Sequence, residues 1–148
     1  MQYLNLPDRP ILLDGGMGRE LRFRGVNIMT AIWAANGLIT APDTVRQIHQ
    51  DYIEAGADII TTNTYGIIRS NLAREGLEEQ FEDLNVLACT LARQACRQSE
   101  KPVLIAGALP PLAGSYRPDL VGEIEDLLPL YLEQAELLAP HVDLIICE

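Results

Sequence analysis

Four short apolar runs, each closing on a glycine or polar cluster, constrain this chain more than any other feature: ILLDGG (11–16), ADIITTNTYG (57–66), VLIAGALPP (103–111) and VDLIICE (142–148). Short runs of this kind, apolar almost throughout and bounded by turn residues, are the pattern of strands buried on both faces. Their starts lie about 40 to 46 residues apart, which leaves room for one helix between each pair. The intervening segments have helical periodicity. In TAPDTVRQIHQDYIEAG, Val45, Ile48, His49 and Tyr52 fall on one face, Thr40 with Asp43 matches a capping box around an early proline, and Gly56 is placed to end the helix. A second stripe runs through Leu77, Phe81, Leu84, Ala88, Leu91 and Ala95. A third, over 124–139, carries Ile124, Leu127, Leu128, Tyr131, Ala135 and Leu138, and tolerates Pro129 if that residue lies in the first turn.

The order β-α-β-α-β-α-β predicts an α/β fold with a parallel sheet, either open and doubly wound or part of a (β/α)8 barrel. A full barrel needs about 250 residues and eight such units. The 148 residues here supply four parallel strands with three main crossover helices, about half of one, in a single domain over 1–148.

Composition removes several classes of function. A net charge of -10, with one lysine and ten scattered arginines, argues against nucleic acid, which is bound by neutralising phosphates. No apolar stretch approaches the about 20 residues of a membrane span, and MQYLNLPDRP lacks the basic-then-apolar pattern of a secretory leader, so a cytoplasmic protein with no membrane partner is expected. Cys89, Cys96 and Cys147 show no metal-ligand spacing and are expected to be reduced and structural. Cys89 and Cys96 lie seven apart on one helical face, as small core residues. His49, on an apolar stripe, and His141, in a turn, have no ligand-spaced partner and are expected to be structural. Nothing matches a phosphate-cradling glycine motif.

Parallel α/β folds bind ligands where the strands end, because the following loops converge there. Asp14-Gly15-Gly16, Thr62-Asn63-Thr64, Gly107-Ala108 and Glu148 occupy those ends and should share one mouth. Asp14 and Glu148 could work as an acid/base pair or could hold a cation such as a substrate ammonium, since adjacent carboxylates repel unless a positive charge separates them. Alternatively, Asp14 caps the short helix in GMGRELRFRG. Trp33 could wall a substrate pocket or serve packing alone.

Taken together, ILLDGGMGRELRFRG, IHQDYIEAGADIITTNTYG, GALPPLAGSYRPD and VDLIICE resemble the homocysteine S-methyltransferase family across essentially the whole chain, and resemble its N-terminal half only. The resemblance implies a zinc-dependent (β/α)8 barrel that methylates the thiol of homocysteine to give methionine. It implies that Asp14 and Glu148 bind the substrate's amino group, and that Gly15, Gly16, Thr62, Asn63 and Thr64 line the same mouth. The methyl donor would be S-methylmethionine, betaine or a similar compound. Family members hold zinc with three cysteines from the second half of the barrel, so no zinc ligand is identified in this chain and the isolated half is expected to be inactive. GALPP has alanine where the family commonly has serine after the glycine, and LAPHVD replaces the usual Ala-Gly turn. A truncated family member is the expectation, with a homodimer or a C-terminal half-barrel as partner. The competing readings are a stand-alone or split α/β binding module without catalysis, and an unrelated barrel lyase or isomerase.

Overall fold

The expected first strand runs parallel to its neighbour but barely qualifies as one. In the computed structural model, which describes residues 8–148, Leu12 accepts the N–H groups of Asp58 and Ile59, and Asp14 N–H donates to Ile59 at 3.0 Å. One isolated bridge, Leu13 to Ile59, results. The next rung of a parallel ladder would join Thr61 N–H to the Asp14 carbonyl, but the Asp14 side chain takes that proton at 2.9 Å instead. The ladder therefore ends where a carboxylate replaces a carbonyl, and the four expected strands become three plus this bridged segment.

The three are β1 (Ile59–Thr61), β2 (Leu104–Leu109) and β3 (Leu144–Cys147), all parallel, in the order β1-β2-β3. Ile59 lies opposite Leu104, and Ala106 opposite Leu144. Two aspartates extend the pairing beyond the strand starts: Asp58 accepts Leu12 N–H at 3.0 Å and Asp143 accepts Ile105 N–H at 2.8 Å. The Arg9 guanidinium forks onto Asp58 and holds its carboxyl well below the usual range. The reading of the first seven residues as part of a start without a leader lies outside the described residues.

The helices are α1 (Met17–Phe23), α2 (Asn36–Thr40), α3 (Pro42–Glu54), α4 (Arg69–Arg74), α5 (Phe81–Arg97) and α6 (Ile124–Leu138). α3 buries Val45, Ile48 and His49 of its stripe, with Ile53 buried in addition and Tyr52 only half-buried, and Gly56 follows its end with φ +116°. The capping box does not form. Ala41 is the N-cap with no side-chain bond, Pro42 opens the helix, and the hydroxyl of Thr40, the last residue of α2, instead donates to the carbonyl of Asn36, its first. The second stripe holds for Phe81, Leu84, Ala88, Leu91 and Ala95, while Leu77 lies outside α5, before a 3₁₀ turn.

α6 departs most from its pattern. Pro129 is its sixth residue, not in its first turn, so the carbonyl of exposed Glu125 loses its helical donor. Ile124 is 72% exposed and Leu128 is also exposed, so burial begins only at the C-terminal half, with Gln134 and Leu138. Gln134 donates to the Ile67 carbonyl at 3.1 Å and to Asn85 at 3.2 Å, tying α6 to α5 through a buried amide pair.

The core lies between the sheet and the helices, where α3 and α5 pack together; Ile53, Ile60, Ala92, Ala95 and Ile105 form its centre behind β1 and β2. His49 is fully buried with both ring nitrogens unpartnered among the described residues, and burial pulls its pKa down to about 4, so it packs as a neutral ring. His141 is exposed and contributes its carbonyl to Arg93. Of the two cysteines expected in the core, Cys89 is buried and Cys96 partly so, while Cys147, expected to be structural, is exposed. Among the described residues no helix is long and apolar enough to cross a membrane.

Candidate functional site

The carboxyl ends of the strands open into one cavity of about 700 Å³. Asp14, Gly15, Gly16, Thr61, Thr62, Asn63, Trp33, Tyr65 and Glu148 line it, together with apolar side chains from Met17, Ile28, Met29 and Ile146. The sheet explains why Glu148 is there. Its N–H extends the β3 ladder to the Leu109 carbonyl at 3.0 Å, and alternation places it on the same face as Ile146. Cys147, between them, points to the other face.

Asp14 does not cap α1; Gly16 is the N-cap, with no side-chain bond. Both Asp14 oxygens accept from Thr61, one from the backbone N–H and one from the hydroxyl, each at 2.9 Å. Burial pushes the Asp14 carboxyl up to about 6, the two Thr61 donors oppose that shift, and the negative charge of Glu148 adds to it. Glu148 is also raised, by burial. Two carboxyls so perturbed share a cavity lined by no basic side chain among the described residues, an arrangement whose charge complements a cation.

The TNT block divides its labour. Asn63 donates to the Ala34 carbonyl at 2.9 Å and holds the 33–35 turn against the cavity. Thr64 donates to the Ala108 carbonyl at 2.8 Å, so the Thr62 hydroxyl donates to Thr64 and accepts from Ala108 N–H at 3.3 Å. The two threonines thus clasp both backbone groups of Ala108 and join the end of β1 to β2. Thr64, fully buried, stands behind the wall and not in it. Gly107 is not at the mouth either; it faces α6, where a side chain would press on Leu138 at 3.3 Å.

Of the lining residues not named as site residues from the sequence, Thr61, Tyr65 and Trp33 shape the cavity most. Thr61 looks like any strand residue, and its role appears only once Asp14 is seen to end the ladder. Tyr65 stacks on Trp33, with ring centroids 6.1 Å apart and planes 23° from parallel. Trp33 itself, left open between wall and packing, is a wall: it is 53% exposed and has φ +47°, a left-handed conformation costing about 1–2 kcal/mol that is found at sites held in place by their surroundings. Gly66 holds it there, because the Ile32 carbonyl passes 2.1 Å from where a Gly66 side chain would begin.

The sequence profile of the family described as Homocysteine S-methyltransferase matches residues 11–148. The chain belongs to that family. It is 33% identical over 152 aligned residues to the homocysteine S-methyltransferase of Escherichia coli K12, a match covering 93% of this chain and 49% of that protein. It is 31% identical over 134 residues to a selenocysteine methyltransferase from Astragalus bisulcatus, covering 77% and 38%. The crystal structure of the metallated form of the E. coli homocysteine methyltransferase MmuM superposes with a TM-score of 0.83 at 32% identity, over 95% of this chain and 54% of that one. The chain therefore spans about half the length of these relatives, and its parallel α/β layers match half of their architecture.

The residues present do not fit the zinc that the resemblance implies. Among the described residues no group of three or more histidine, cysteine or acidic side chains is gathered to hold a metal ion. Burial raises the Cys89 and Cys96 thiols to about 11, which keeps them protonated at neutral pH, and both belong to α5 rather than to the cavity.

Proposed function

We propose that this chain forms the homocysteine-binding half of a (β/α)8 homocysteine S-methyltransferase. The observation that carries the reading is the joint presence of Asp14 and Glu148 in one cavity that has no basic side chain among the described residues. A substrate ammonium placed between them relieves their repulsion and favours the ionised form of both carboxyls. Gly15 makes room for Tyr52, whose hydroxyl lies 2.7 Å from where a Gly15 side chain would begin. Asn63 and Thr61 fix the wall around the bound amino acid. Thr62 and Thr64 act through the backbone, keeping β1 and β2 in register at the mouth.

The reaction joins the homocysteine sulfur to the methyl carbon. The donor's carbon–onium bond breaks, its bonding pair neutralises the donor, and the thiol proton leaves to solvent. A free thiol, with a pKa of about 8.5, is mostly protonated at neutral pH, and two carboxylates disfavour a thiolate beside them. This chain's residues bind and orient the substrate, while thiol activation belongs to residues it does not contain. The stacked faces of Trp33 and Tyr65 offer a surface for the cationic donor, either S-methylmethionine or betaine.

The apolar side chains of Leu12 and Leu13, half exposed on the bridged segment, and the free edge of β3 are the places where a second half-barrel docks. A second copy of this chain would bring two more carboxylates into the same mouth, so a complementary half that supplies the thiol-activating residues is the better partner. A soluble, cytoplasmic enzyme follows from this reading.

Calorimetric titration with homocysteine tests it. The 148-residue chain should bind homocysteine, and Asp14→Asn or Glu148→Gln should each weaken binding about tenfold or more, the loss expected for a charge-assisted contact. Methyl transfer from S-methylmethionine should be absent in the chain alone and appear when it is combined with the remaining half of the E. coli relative. Full binding by Asp14→Asn would exclude the proposed ammonium site.

A further inference from the structure

The loops above the sheet enclose a second cavity, of about 450 Å³, and Trp33 and Tyr65 line it as well as the first. Its other walls are α4, with Arg74 and Asn71, and the 111–115 loop, whose Ser115 hydroxyl is hydrogen-bonded to the Tyr65 hydroxyl. The two cavities thus meet at one aromatic partition, and their charges are opposite. The first has two carboxylates and no basic lining residue; the second has the Arg74 guanidinium and no acidic lining residue among the described residues. Arg69, one turn earlier in the chain, is held by Glu133, but Arg74 makes no ion pair with any described residue. The neighbouring Glu75 carboxylate is engaged by the Ala31 N–H.

We propose that this second cavity receives the carboxylate end of a zwitterionic onium methyl donor, anchored by Arg74. The proposal rests on the methyltransferase reading and adds a specificity-determining residue to it. Carboxylates, aromatic faces and a guanidinium follow one another across the two cavities. That order complements the ammonium of the acceptor, the onium centre of the donor and the donor's carboxylate. The onium is attracted to the ring faces of Trp33 and Tyr65 and repelled by Arg74, while the carboxylate matches the planar fork of a guanidinium. A donor so placed is oriented end to end, with its methyl group facing the sulfur of the amino acid held by Asp14 and Glu148. Tyr65 keeps the partition upright through Ser115.

The test is titration of the 148-residue chain, saturated with homocysteine, with S-methylmethionine and with its carboxamide counterpart, in wild type and Arg74→Gln. S-methylmethionine should bind the wild type and bind Arg74→Gln about tenfold more weakly. The carboxamide should bind wild type as weakly as S-methylmethionine binds Arg74→Gln, with no further loss in the variant, and homocysteine affinity should be unchanged throughout. No binding of S-methylmethionine to the wild type, equal affinity for wild type and variant, or a carboxamide that binds as tightly as the acid would each overturn the proposal. Those results with intact, Asp14-dependent homocysteine binding would refute the Arg74 site alone. Failure of homocysteine itself to bind would refute the methyltransferase reading and this inference with it.

Discussion

Asp14 has a structural and a chemical task on the same two oxygens. By taking the Thr61 N–H and hydroxyl it ends the sheet pairing and fixes its own orientation; the same burial that locks it raises its pKa to about 6. Ammonium binding requires the ionised carboxylate, so homocysteine affinity should climb as pH rises through about 6 and then level off, and Asp14→Asn should remove the Asp14 part of that climb, leaving only that of Glu148. The ligand-free chain should respond in the opposite sense. A carboxyl that holds its proton more tightly when folded contributes stability in full below the ordinary value of 3.8 and loses it as pH rises through about 6. His49 works against this trend: its folded pKa is depressed from 6.5 to about 4, so its contribution is lost on acidification through that window. Urea unfolding of wild type and Asp14→Asn from pH 4 to 7 separates the two, because the difference between the proteins carries only the Asp14 part. A difference independent of pH would contradict the assignment.

At the scale of elements, the periodic signals were legible and the exceptions have physical causes. α3 and α5 follow their stripes because residues such as Ile48, Leu84 and Ala88 face one continuous core. The first half of α6 misleads because Ile124 and Leu128 are apolar yet exposed, and a pattern of residue types cannot show whether a partner surface is present. Thr62 and Thr64 were placed at the mouth because they follow a strand; Thr62 does line the cavity and Thr64 does not, and the hydroxyls of both are engaged by the Ala108 backbone, a partner 44 to 46 residues away. Thr40 and Asp43 have the spacing of a cap, but Pro42 starts the helix one residue after Ala41 and leaves them no cap to make. Gly66 was not singled out, although it sets the Trp33 turn against the end of β1. Gly66→Ala would drive its side chain into the Ile32 carbonyl, backbone against backbone, and should cost about 3 kcal/mol or more in urea unfolding, with a shift in Trp33 fluorescence. A loss under about 1 kcal/mol would show that the turn can move aside.

At the scale of the whole molecule, the spacing of the four runs identified the parallel α/β plan and the rim that carries Asp14 and Glu148. It could not show that the first run forms only a bridge, because that depends on a side chain displacing a carbonyl. The 148 residues span about half of their relatives, and two features of the surface suit a partner: the free edge of β3 and the exposed apolar residues of the bridged segment and α6. With a net charge of -10 per copy, self-association should be weak, whereas the remaining half of the E. coli relative should form a one-to-one complex in light scattering. A stable homodimer that ignores the added half would reverse that preference.

The most direct measurement compares homocysteine with 4-sulfanylbutanoate, the same molecule without its amino group, by calorimetry on this chain. If Asp14 and Glu148 grip an ammonium, homocysteine binds and the deaminated compound does not. Equal binding of the two would place the recognition elsewhere and leave the carboxylate pair without its proposed ligand.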